Sequence, residues 1–173
     1  LEGTVLPAFD PQLSGGALYD INIYNLNLII GLFGAPNSLV YQARKGFNGI
    51  DTSGVVLMSY PEFQALAIGA KDSGSPSTCL IQGEKGWLKI ETAPNQLEKI
   101  ACQIRGENKV REYALNQYPH RLSHEFAAFA AMLANKDFAG RDLYLNISLQ
   151  VAEAAEKARK QAGINFPADQ HPH

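Results

Sequence analysis

Cysteine is scarce in this sequence: Cys79 and Cys102 are the only two among 173 residues. Both fall in strand-like runs, too few for a disulfide scaffold, and free buried thiols are the expected state. Histidine is nearly as sparse, with four in all. His171 and His173 close the chain with no cysteine or acid at ligand spacing beside them, so no metal site is expected. Basic charge is not in excess: 15 Lys and Arg stand against 17 Asp and Glu, a formal charge of −2. That balance gives no electrostatic footprint for nucleic acid. The longest apolar run, Leu26 to Phe33, is interrupted by Asn27 and Gly31. It is too short to span a bilayer, so no membrane partner is expected. The N-terminus shows no basic, apolar, small-residue leader, and a cytoplasmic location is expected. The chain opens at Leu1 rather than Met, which reads as processing or as a piece of something longer. Neither a Gly-x-Gly-x-x-Gly turn nor a Gly-x-x-x-x-Gly-Lys loop occurs. Gly31 and Gly34 follow a helical pattern and read as its stop. No cofactor is therefore expected on this chain alone.

What is present describes a folded domain. The 46% hydrophobic and 18% charged content is ordinary, and the length suits one domain, 1–173, with a sizeable core. Residues 1–14, with Pro7 and Pro11, read as an extended lead-in; 168–173 read as a flexible tail. From Ala17 to Phe33, Leu18, Ile21, Leu28 and Leu32 recur at helical spacing, and Gly34 and Pro36 end the pattern. Seven β-rich runs follow: Leu39–Arg44, Gly54–Tyr60, Phe63–Ala70, Thr78–Gln82, Trp87–Glu91, Lys99–Arg105 and Val110–Leu115. The turns between them leave no room for crossover helices, which predicts antiparallel pairing. Two helices close the chain. One is capped by Ser123 and carries a Phe126, Phe129, Met132, Leu133 stripe; the other runs from about Leu145 to Ala162. The fold class is α+β: an open, predominantly antiparallel sheet with helices on one face. Strands such as Gly54-Val55-Val56-Leu57-Met58 are apolar on both sides, so the other face is an expected homo-oligomer interface.

Chemistry concentrates at Gly15-Gly16-Ala17-Leu18-Tyr19-Asp20-Ile21-Asn22-Ile23-Tyr24. An acid, Asp20, and a phenol, Tyr24, stand four residues apart, which on a helix puts them on one face. Gly15 and Gly16 let the backbone turn tightly and let a ligand come close. Two readings fit the pair. Asp20 and Tyr24 are surface residues, the acid answering the helix's positive end, or they form an acid–phenol set for proton transfer at a small polar substrate.

This stretch, with Leu32-Phe33-Gly34-Ala35-Pro36, resembles the start of the C-terminal domain of the Gfo/Idh/MocA oxidoreductases. Ile81-Gln82-Gly83-Glu84-Lys85-Gly86-Trp87-Leu88 is similar to that family's strand–turn–strand, and His124-Glu125-Phe126 with Phe129 to its penultimate helix. Four matches fall in register over nearly the whole chain. The resemblance implies a parent in which an N-terminal Rossmann domain binds NAD or NADP and supplies a lysine. The present chain would then be the substrate-binding and oligomerisation domain, inactive in hydride transfer alone. The substrate implied is a sugar, cyclitol or related polyol oxidised at a CH–OH group. Asp20 and Tyr24 occupy the family's acid and phenol positions; Ser14 stands where the family carries the first of three glycines. A tyrosine, with an ordinary pKa of about 10, needs a nearby cation to act as a base at neutral pH. The implied lysine could supply it, with Asp20 orienting the phenol or the lysine.

Gly15, Gly16, Asn25 and His120 are the further substrate-contact candidates, His120 because it enters the closing helices after Tyr118-Pro119. Each also has a plainer reading as packing or helix-start scaffold, as have His124, Trp87 and Tyr19. Two rivals stand beside the oxidoreductase domain: a non-enzymatic dimerisation or ligand-binding module of the same fold, and a cofactor-free isomerase or hydrolase. The second is weakened by the lack of a Gly-x-Ser-x-Gly elbow.

Overall fold

Alternation of apolar residues decides the first sheet. In the computed structural model, which describes residues 6–114 and 116–170, β1 (Ser38–Lys45), β2 (Asp51–Ser59) and β3 (Gln64–Ala70) pair antiparallel in chain order. Leu39 and Tyr41 of β1, Val56 and Met58 of β2 and Ala67 of β3 point to one side and are buried. The helical period predicts one continuous helix against that side. Instead, a π-helical turn, Leu18–Asn22, leads into α1, Ile23–Phe33. Leu18, Leu26 and Ile30 from this pair lie in the core, each with 1% exposure or less. Burying a side chain of that size contributes about 1.5–3 kcal/mol. The helix can sit close because β3 offers small residues beneath it: a Cβ on Gly69 would come within 2.8 Å of Asn22 Cβ.

The chain divides into two compact units, Leu1–Gly74 with Tyr144–His173, and Ser75–Leu143. Besides the first sheet and α1, the first unit holds most of α3 (Phe138–Gln161), whose Val151, Ala155 and Ala158 join the same core. Its end is held by Arg159. That guanidinium forks onto Asp169 at 2.6 and 2.7 Å and lies over the Phe166 ring.

The second unit carries a four-stranded antiparallel meander, β4 (Cys79–Gly83), β5 (Gly86–Ile90), β6 (Ile100–Ile104) and β7 (Val110–Tyr113). All seven expected runs are therefore strands, with ends shifted by a few residues; Leu115 lies outside the described residues, as do 1–5 of the lead-in and His171–His173. Gly86, at φ +145°, passes so close to Gln103 O that no side chain fits there. Trp87 packs on the sheet and donates to Gln103 Oε1 at 3.0 Å. Cys79 and Cys102 are free and half-buried.

Both closing helices begin earlier than the sequence pattern predicts. α2 spans Arg121–Asn135 with His120, not Ser123, at its N-cap. The residue after Pro119 is extended, and Ser123 N–H already donates to the His120 carbonyl at 3.0 Å, which places Ser123 inside the first turn. α3 starts at Phe138 rather than near Leu145 because Asp137 Oδ1 accepts the Gly140 N–H at 2.9 Å, a side-chain cap. α2 has no buried residue, and Phe126, Phe129 and Leu133 of its apolar stripe are exposed. No helix among the described residues is long and apolar enough to cross a membrane.

Candidate functional site

The site grows from the turn before α1. Ser14 adopts a left-handed conformation at φ 56°, so the position fits the glycine preference of the resemblance while carrying a side chain. Gly15 and Gly16 are both buried, and what comes close to them is the chain itself. A Cβ on Gly15 would lie 2.7 Å from Asp10 N, and one on Gly16 (φ +128°) would collide with the Asp51 carboxylate.

Asp51 is the anchor of this end. It is 2% exposed, and its Oδ2 accepts from Leu18 N–H and from the Tyr41 hydroxyl, each at 2.6 Å. A carboxylate from β2 thus caps the N-terminus of a helix 33 residues earlier, where the helix's positive end favours negative charge. Register explains its inward aim. Arg44 pairs with Ser53 but Lys45 with Asp51, so Thr52 is the extra residue of a bulge, and a bulge re-aims the neighbouring side chain. Gly54 leaves the space that the Tyr41 ring fills. Burial, then the bond to Asp51 and its charge, push the Tyr41 phenol well above its ordinary pKa, so it stays a neutral donor.

Above this buried anchor lies the pair singled out by sequence. Asp20 projects from the π-turn with a half-exposed side chain. Its Oδ2 accepts from Lys71 Nζ at 2.6 Å. Lys71 also donates to the Ala8 carbonyl at 2.9 Å and lies 4.3 Å above the centre of the Phe9 ring. Tyr24 is 43% exposed. No hydrogen bond joins Asp20 and Tyr24 among the described residues: the acid is oriented by a lysine of this chain, not by the phenol one turn on. π-turns inside α-helices occur frequently at functional sites.

Asn25, expected near substrate, faces β3. Its amide donates to Asn22 Oδ1 at 2.7 Å and to Ile68 O at 3.0 Å, while buried Asn22 donates to Ala67 O. Two asparagines thereby stitch the π-turn to two backbone carbonyls of β3. His120 lies in the second unit as the exposed N-cap of α2 and makes no side-chain cap bond. His124 Nε2 accepts from Tyr118 N–H at 3.3 Å, a local brace. Tyr19 packs edge-on against Phe166. A cleft of about 600 Å³ lies between α1, α3 and the 166–169 turn, lined by Tyr19, Asn27, Glu153, Glu156 and Phe166 among others. Neither Asp20 nor Tyr24 lines it; both side chains are about half exposed. Three residues not singled out by sequence, Asp51, Tyr41 and Lys71, hold the site together.

Cofactor capacity follows from topology. Both sheets are antiparallel throughout. The Rossmann dinucleotide cradle is a parallel βαβ unit with a glycine-rich turn at the helix N-terminus, and the described residues contain no such unit. Nor do they gather three or more His, Cys, Asp or Glu side chains that could hold a metal ion.

Fold and site together define an antiparallel α+β domain with an open acid and phenol at the head of its first helix. Residues 7–89 match the GFO/IDH/MocA C-terminal domain, and the chain belongs to that family. It is 33% identical over 168 residues to scyllo-inositol 2-dehydrogenase (NADP(+)) of Bacillus subtilis, covering 97% of this chain and 51% of that protein. It is 28% identical over 178 residues to trans-1,2-dihydrobenzene-1,2-diol dehydrogenase of Oryctolagus cuniculus, covering 96% and 53%. The chain thus spans about half the length of the curated relatives it matches. A 3-ketoreductase from Actinomadura kijaniata, solved with TDP-benzene and NADP, shares the fold at a TM-score of 0.66 and 17% identity, over 84% of this chain and 46% of that one.

Proposed function

We propose that this chain is the substrate side of an NAD(P)-dependent oxidoreductase acting on a CH–OH group of a sugar, cyclitol or related polyol, and that alone it transfers no hydride. The observation that carries the reading is the state of Asp20 and Tyr24. In a domain of this family both are exposed at the head of the first helix, on a turn fixed from below by Asp51, Asn22 and Asn25. The dinucleotide, for which the described residues offer no cradle, is held elsewhere in the parent protein.

Within that reading each side chain has a defined task. Asp20 keeps Oδ1 open as an acceptor for a substrate hydroxyl while Oδ2 is tied to Lys71. Tyr24 exchanges a proton with the oxygen of the hydroxyl under attack, a role worth about 10²–10⁴-fold for a well-placed group. Gly15, Gly16 and Asn25 shape the site from behind. The relatives' names, an inositol dehydrogenase and a dihydrodiol dehydrogenase, support a neutral polyhydroxy or diol substrate. The outer face of the first sheet, with Val40, Leu66 and Ile68 more than half exposed, serves as the contact with a second copy.

The test is the parent polypeptide with Tyr24→Phe and Asp20→Asn. Each lowers kcat/KM by about 100-fold or more. Variants within about threefold of the parent would reject the pair. The rival, a non-enzymatic module, draws on the same Lys71–Asp20 bond as a simple cross-link; under it Asp20→Asn changes stability and no turnover exists to lose.

A further inference from the structure

We propose that Lys71 is a positioning residue for the reaction, acting through Asp20: it locks one carboxylate oxygen so that the other meets the substrate in a single orientation. The proposal rests on the reading of Asp20 given above and adds a residue to it.

The amine is built for holding. An ammonium carries three N–H donors. Lys71 directs two of them at Asp20 Oδ2 and Ala8 O and sets its charge over the Phe9 ring, with its side chain 8% exposed. A cation over an aromatic face is a favourable contact in its own right. Its backbone is equally fixed. Lys71 N–H donates to Thr52 O at 2.8 Å. The next residue, Asp72, accepts from Thr52 Oγ1 at 2.7 Å and Ser53 Oγ at 3.2 Å. The position is set by β3, where Ala65, Ala67 and Gly69 alternate onto the helix-facing side and Lys71, just past the strand's end, continues the alternation.

Asp20 is the opposite case. It sits on a π-turn, its side chain is half exposed, and Oδ1 has no partner among the described residues. A free aspartate on such a turn would sample several rotamers. Tied through Oδ2 it presents one acceptor in one direction, and a misplacement of about 1 Å in a positioning group can cost about 100-fold in rate. Lys71 thereby joins the lead-in segment, the π-turn and the end of β3 at one point.

The experiment is a double-mutant cycle in the parent polypeptide, assayed with NAD+ and NADP+ against scyllo-inositol, myo-inositol, glucose and a trans-diol. Lys71→Met is expected to lower kcat/KM about 10- to 100-fold in the parent, yet less than about threefold when Asp20 is already Asn. Lys71→Gln, which keeps a donor for Ala8 O, is the second variant should Lys71→Met fail to fold, and Lys71→Arg should recover most of the rate. Thermal stability separates the roles: the loss of the Ala8 and Phe9 contacts persists in the Asp20→Asn background, the loss of rate does not. Equal losses of rate in both backgrounds would overturn the role of Lys71 alone. A silent Asp20→Asn, or no turnover with any pair, would overturn the reading of Asp20 and this proposal with it.

Discussion

The hydroxyl of Tyr41 donates to the buried carboxylate of Asp51 at 2.6 Å, and the same oxygen receives the Leu18 N–H that opens the first helix. This relationship couples sheet to helix directly beneath Asp20. Removing Asp51 leaves a buried N–H and a buried O–H without partners, each worth about 1–3 kcal/mol. Asp51→Ala is therefore expected to destabilise the chain by about 3 kcal/mol, and Tyr41→Phe by about 1 kcal/mol, measured by urea unfolding. Equal, small effects would contradict the anchoring role.

Tyr41 also sets an alkaline limit. Its phenol is held above the ordinary value of about 10 in the folded state. The folded form binds the proton more tightly, so stability is intact below about pH 10 and falls as pH rises beyond it. Spectrophotometric titration should show one tyrosine that ionises only with unfolding, and Tyr41→Phe should abolish that step.

Asp169 predicts an acid limit by the opposite sign. The Arg159 guanidinium, then the Phe166 N–H, hold its carboxyl at about 2, against about 3.9 unfolded. Its contribution is complete above about pH 4 and is lost as pH falls toward 2. Melting curves from pH 5 to pH 2 should drop more steeply for the parent than for Asp169→Asn. Parallel curves would show that the 166–169 turn is not held by this pair.

Leu66 and Ile68 project from the face of β3 opposite the helix, 61% and 64% exposed. Exposed apolar side chains grouped on one face make it the expected contact with a second copy. Leu66→Lys with Ile68→Lys is expected to convert a dimer or larger assembly to monomer without altering the circular dichroism spectrum. A monomeric parent by light scattering would contradict the proposed interface.

Much of this fold is legible in the amino-acid sequence. The seven strands announce themselves because their apolar runs are short and their turns are rich in Gly, Pro, Asp and Ser, and both sheets are antiparallel as the missing crossovers require. Asp20 and Tyr24 stand out by spacing. Asp51 does not: strict alternation from Val56 and Met58 aims it outward, and the bulge at Thr52 that reverses it leaves no composition signal. The π-turn is hidden too, because its apolar residues satisfy an ordinary helical period. The start of α3 is obscured because Gly140 weakens the helical pattern at the very turn that Asp137 caps. Lys71 is within reach of sequence reasoning, since period-two counting along Ala65, Ala67 and Gly69 puts it on the helix side. Its place at the head of a polar turn, Lys71-Asp72-Ser73-Gly74, disguises it as a solvated loop residue.

The most direct test of the central claim, that this chain carries the substrate side and leaves the dinucleotide to another part of its parent, is a titration of the chain as it stands with NADH and NADPH, followed by nicotinamide fluorescence. The account predicts no saturable change with either. Saturable binding at micromolar concentration would mean that these antiparallel sheets hold a dinucleotide site after all, and would contradict it.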